Sequence, residues 1–262
     1  MSAMKMADVT SADGLRRVWG LGIGSVMTLA VIPYPVLGLF AADELSHRTH
    51  NVVGAIQYLP LWALPVLAFT FGRDRATMWR LALGSAVVMA AVGVWSGDLV
   101  PSLSWMPLTT LLVLWPRDVS WRIRRPSAGL GVAAGSLAAL FAVVVAVGNA
   151  PDLVGFQRLG MTDSHSVRFH FSGMAAAYMS LAVAAVLLAL YPAGVLARST
   201  VAASAFVAGL CGIVWRFDES AVGRMDAVLL LAAAALLVAT TSGVVSDRRE
   251  SEAANLATAG HG

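Results

Sequence analysis

FSGMAAAYMSLAVAAVLLALYPAGVLA, residues 171–197, passes through twenty-seven positions without a charge. A bilayer core needs about 20 apolar residues as a helix, so this run is long enough to cross a membrane. It is one of eight. Cutting the chain at its charges leaves Val18–Ala42, Thr49–Gly72, Leu81–Gly97, Leu99–Pro116, Pro126–Pro151, Phe171–Ala197, Ser199–Trp215 and Ala227–Ser246. The runs are continuously apolar and rich in Ala and Leu, whereas barrel strands alternate. The whole chain is 58% hydrophobic and 13% charged, about half the charged fraction of soluble domains. These features predict an all-α, polytopic membrane protein of eight transmembrane helices, placed in the cell membrane.

Basic residues collect on the cytoplasmic side of short loops. With the N-terminus inside, thirteen of the eighteen lie inside: Lys5, Arg16, Arg17, Arg73, Arg75, Arg80, Arg117, Arg122, Arg124, Arg125, Arg198, Arg248 and Arg249. Arg48, Arg158, Arg168, Arg216 and Arg224 lie outside, and both termini are cytoplasmic. The basic pI then reflects topology and contact with anionic lipid, and calls for no nucleic acid. The expected division is an N-terminal tail over 1–17, a first half over 18–125, a second over 126–246 and a disordered cytoplasmic tail over 247–262. The first run is too long for a signal-peptide core and reads as a signal anchor. The single cysteine, Cys211, lies inside an apolar run and reads as packing.

The stretch before the quoted run, TDSHSVRFH (162–170), concentrates polar chemistry at an extracytoplasmic mouth. Displacing the sequence by 120 residues pairs Asp43 with Asp163, Ser46 with Ser166, Arg48 with Arg168 and His50 with His170. The same displacement pairs Tyr58 with Tyr178, and Val94, Trp95 and Asp98 with Val214, Trp215 and Asp218. Each half thus carries D-x-x-S-x-R-x-H entering its second helix and V-W-x-x-D leaving its third. A parallel four-plus-four repeat would gather these residues around one outer vestibule, an arrangement transporters use. The fifth run, ending near Pro151, fits this least well, because it leaves a long loop over 149–168.

The candidates for proton or solute binding are therefore His170, His50, Asp98, Asp218, Arg168, Arg48, Asp163 and Asp43. Asp98 also reads as the acid of a tight turn. His165, His170, His47 and His50 form an alternative metal set, although His165 and His170 are five apart, which is wrong for a helical pair. Gly173, Ala175, Ala176 and Ala177 predict close helix approach beside His170. Pro33 and Pro35 disturb the first helix, as Pro60 and Pro65 do the second. Trp19, Trp62, Trp79, Trp105, Trp115 and Trp121 read as interface anchors. The only lysine, Lys5, precedes every span, which excludes a retinal Schiff base in the bundle. No cofactor motif occurs.

R-F-H-F-S-G-M, Arg168 to Met174, resembles the H-F-H-Y-A-G-F signature of the YndJ-like family of multi-pass membrane proteins, loosely described as transporters. The family's first histidine is Arg168 here, which leaves His170 to carry over. A similar segment supplies haem ligands in haem-copper oxidases, but the lost first ligand and the eight helices argue against that identity. The resemblance implies a small-solute or proton-coupled transporter. The other readings are a membrane-embedded metal-dependent enzyme acting on lipid or a related substrate, and a structural or sensory membrane protein.

Overall fold

The computed structural model describes residues 12–40, 48–98, 129–159, 170–218 and 221–259, with Leu108 and Ile123 between them. All regular structure among the described residues is helical. Helices α1 (Ala12–Val31) and α2 (Pro33–Phe40) make one broken rod. The break falls at Ile32, where Pro33 and Pro35 supply no backbone N–H. Helix α3 (Arg48–Tyr58) passes through a π-helical turn (Leu59–Ala63) into α4 (Leu64–Thr70). The other helices are α5 (Arg75–Ser96), α6 (Leu130–Leu159), α7 (His170–Leu190), α8 (Val195–Val214) and α9 (Arg224–Ala259).

Seven helical segments are long and apolar enough to cross a membrane, and their pattern is that of a multi-pass membrane protein. They coincide with seven of the eight apolar runs. The remaining run, Leu99–Pro116, lies outside the described residues apart from Leu108. Large apolar side chains face outward on several helices: Leu29 on α1, Val94 on α5, Val147 on α6 and Phe206 on α8 are all exposed. A surface this apolar suits hydrocarbon rather than water. Helix α7 lies in the middle of the bundle, packed on α3, α5, α6 and α8. Helices α8 and α9 approach closely because Gly209 and Gly212 carry no Cβ. A Cβ on Gly209 would stand 2.8 Å from the carbonyl oxygen of Ala227.

Several sequence expectations need correction. Helix α6 continues through Pro151 to Leu159, so the fifth crossing does not stop at the proline. A membrane helix tolerates proline where other groups satisfy the freed backbone. Arg80 is no loop residue: it is buried in α5, with its guanidinium carbon 4.1 Å from the centre of the Tyr191 ring. Its long apolar stem allows this placement. Trp62 and Trp79 are core residues, 0% and 1% exposed, whereas Trp19 does face outward. Ala175, Ala176 and Ala177 are buried as expected, but the space beside Gly173 is open.

Candidate functional site at the helix ends

The first turn of a helix presents backbone N–H groups that have no partner within that helix. In this bundle, side chains from other helices provide acceptors. Thr49 is the second residue of α3, and its N–H donates to Asp218 Oδ2 at 2.8 Å. Asp218 follows the end of α8 and is 8% exposed, while Thr49 is 0% exposed. A carboxylate here also complements the positive end of the α3 dipole. The structure therefore brings the acid that follows α8 onto the first turn of α3.

The start of α7 is held by a related device. Ser172 N–H donates to Gln157 Oε1 of α6 at 3.1 Å, and Ser172 Oγ–H donates to Asp98 Oδ2 at 2.7 Å. Asp98 is placed by the end of α5. Gly97 takes φ 74°, and the Asp98 N–H returns to the Gly93 carbonyl at 2.9 Å, closing the helix in a left-handed cap. Partial burial raises the Asp98 carboxyl above the ordinary carboxylate range, with the Ser172 hydrogen bond opposing that shift. The Arg158 guanidinium, nearby in the last turn of α6, donates to the Trp95 carbonyl. The Asn149 amide joins α6 to α9 by donating to Asp226 Oδ2 at 3.1 Å.

Among the residues proposed from sequence, Asp98 and Asp218 thus make contacts between helices. His50 is buried in the first turn of α3, beside Thr49, and Arg48 begins that helix half-buried. His170 begins α7, but its side chain is outside the described residues, as are Asp43, His47, Asp163, His165 and Arg168 entirely. Among the described residues, no three His, Cys, Asp or Glu side chains are grouped to hold a metal ion. Tyr58 lies within electrostatic reach of Asp98, and Tyr178 within reach of Asp218. The Tyr178 hydroxyl is buried and meets no hydrogen-bond partner among the described residues.

Thr49, Gln157, Ser172 and Asn149 were not singled out from sequence. Ser172 stood within the quoted run, two places after His170, but one uncharged serine carries no periodic signal. Gln157 and Arg158 were hidden by the expectation that α6 ended at Pro151.

The opposite helix ends carry a separate contact. Asp74 Oδ2 accepts the Gly194 N–H at 2.8 Å, joining the α4–α5 turn to the start of α8. Thr77 Oγ1 donates to the Pro192 carbonyl at 3.2 Å in the same region. No family model, curated protein or solved structure matches the chain.

Proposed function

We propose that this chain is a small-solute or proton-coupled transporter in the cell membrane, with eight crossings, both termini cytoplasmic and a parallel four-plus-four repeat. The observation that carries the reading is the exchange of acids at the outer mouth. Asp98 of the first half reaches α7 of the second, and Asp218 of the second half reaches α3 of the first. Their positions differ by the 120-residue displacement found in the sequence, and they reach the first turns of helices that begin 122 residues apart, at Arg48 and His170. The Asp74–Gly194 contact adds support, because these residues are also 120 apart. Two equivalent residues can touch only near the axis that relates them.

In this reading the two acids clasp the halves on the outside, while Asp74 and Gly194 hold them on the inside. Each charge-assisted hydrogen bond opposes opening, and protonation of His170 at this mouth would redistribute the pairings there and favour opening toward the outside. His50 and His170, with Arg48 and Arg168, Asp43 and Asp163, complete the vestibule, and the YndJ-like resemblance belongs to the same proposal.

Alternating access supplies the test. In a Cys211→Ala background, Thr49→Cys reports the outer mouth and Thr77→Cys the inner one, each in its own reconstituted protein. Thiol labelling is followed from each side as the external pH is lowered. Labelling at 49 should rise while labelling at 77 falls. Mouths that open together, or neither responding, would contradict a transporter.

A further inference from the structure

Between the inner and outer contacts, three helices meet in a set of buried oxygen atoms that neither clasp uses. Ser85 Oγ of α5 lies 3.3 Å from the main-chain carbonyl oxygen of Gln57 in α3 and 3.4 Å from Ser180 Oγ of α7. Gln57, Ser85 and Ser180 are at most 2% exposed. Each stands near the middle of its span: Ser85 is ten residues from Arg75 and eleven from Ser96.

Both oxygen separations exceed the usual hydroxyl hydrogen bond of about 2.7–2.8 Å. They match another geometry. Oxygen ligands about 2.4 Å from a cation of calcium's size occupy octahedron corners about 3.4 Å apart. A second observation points the same way. The Gln57 amide hydrogen-bonds the Tyr58 hydroxyl, while Gln57 Oε1 is buried and meets no donor among the described residues. It is a buried acceptor that a cation could satisfy.

The local backbone adds acceptors. The π-helical turn begins directly after Tyr58, with the Leu64 N–H bonded to the Leu59 carbonyl five residues back. Pro60 and Pro65 contribute no N–H to this helix, so carbonyls one turn earlier lose their usual donors. Disturbed helices at mid-membrane supply carbonyl ligands to coupling ions in transporters, and π-helical turns recur at functional sites. The positions one 120-residue displacement from Gln57 and Ser85 are Ala177 and Ala205. The polar set is therefore specific to one place, and no repeat rule requires it.

We infer that Gln57, Ser85 and Ser180, with carbonyls of the adjoining π-helical turn, bind a monovalent cation of Na+ size at mid-membrane. Calcium itself is disfavoured because its sites rely on carboxylate ligands, and this set contains none. The larger K+ would require wider spacing. Serine pairs also serve as plain packing contacts between membrane helices, and the test separates the two roles.

Full-length protein in nanodiscs is heated in NaCl, KCl or choline chloride at constant ionic strength, and the unfolding midpoint is recorded. Above the dissociation constant, each tenfold rise in Na+ should lift the midpoint by about 3–5 °C, with K+ weaker and choline inert. Ser85→Ala and Ser180→Ala should flatten the Na+ response. Ser204→Ala should keep it, since among the described residues that buried hydroxyl bonds within its own helix, to the Thr200 carbonyl. Gln57→Glu, nearly isosteric and charged, should move the response to lower Na+. Equal midpoints in all three salts for the unaltered protein would overturn the site, whatever the variants do. An unchanged Na+ response in Ser85→Ala, Ser180→Ala or Gln57→Glu would overturn its location. Binding is read on the resting protein, so a chain that binds Na+ yet moves no solute keeps this site and loses only the transport reading.

Discussion

Replacing Asp218 by Ala removes the acceptor of the Thr49 N–H, a bond of 2.8 Å between two buried residues. A hydrogen bond to a charged group contributes about 1.5–3 kcal/mol. If the bond exists only while the mouth is closed, its loss raises the open population about 10- to 150-fold. The assay is the labelling rate of Thr49→Cys in a Cys211→Ala background. This substitution keeps the backbone N–H, and residue 49 is wholly buried while the mouth stays closed. When closing is fast relative to modification, the rate follows the open population. Asp218→Ala should therefore speed labelling at least tenfold. Asp218→Asn keeps a neutral acceptor and should fall between the alanine variant and the parent. A rate within twofold of the parent in Asp218→Ala would show that this hydrogen bond does not hold the mouth.

Three further outcomes follow from the same geometry. Gly209→Ala places a methyl group 2.8 Å from the Ala227 carbonyl oxygen and should destabilise the α8–α9 pair by about 1–3 kcal/mol. Gly22→Ala, where a Cβ meets nothing within 4 Å, should cost little, and thermal unfolding of the two variants checks the contrast. Burial raises the Asp98 pKa above that of the unfolded chain, so its stabilising contribution is full below the ordinary carboxylate range and is lost as pH rises through the raised value. Asp98→Asn should flatten that part of the stability–pH curve, and an unchanged curve would contradict the assignment.

The helices were legible because membrane burial requires long uncharged runs, and seven of those runs reappear as spans. Helix ends were less legible. Cutting at charges placed Arg75 and Arg80 in a loop, although both belong to α5, and ended the fifth run at Pro151, before Asp152 and about two turns short of the end of α6. At the site, Asp98 and Asp218 emerged from the echo because acids are rare in this chain. Their partners Thr49 and Ser172 did not, because what selects them is the docking of one helix start against another helix end. The buried tryptophans illustrate the same limit: Trp62 and Trp79 share their residue type with the exposed Trp19, and only packing distinguishes them. Gln57, Ser85 and Ser180 were equally silent, since single polar residues in apolar runs have no spacing to betray them.

The claim that two halves meet at equivalent residues is tested most directly at Asp74 and Gly194. A Cβ built on Gly194 lies 3.7 Å from the Asp74 Cβ, close to the mean of about 3.8 Å found in disulfides. The double variant Asp74→Cys/Gly194→Cys, with Cys211→Ala and a protease site inserted after Ser102, should oxidise readily in the membrane. After cleavage, the two fragments should migrate as one species without reductant and separate when it is added. Fragments that separate without reductant, with both thiols still free to react, would contradict the account.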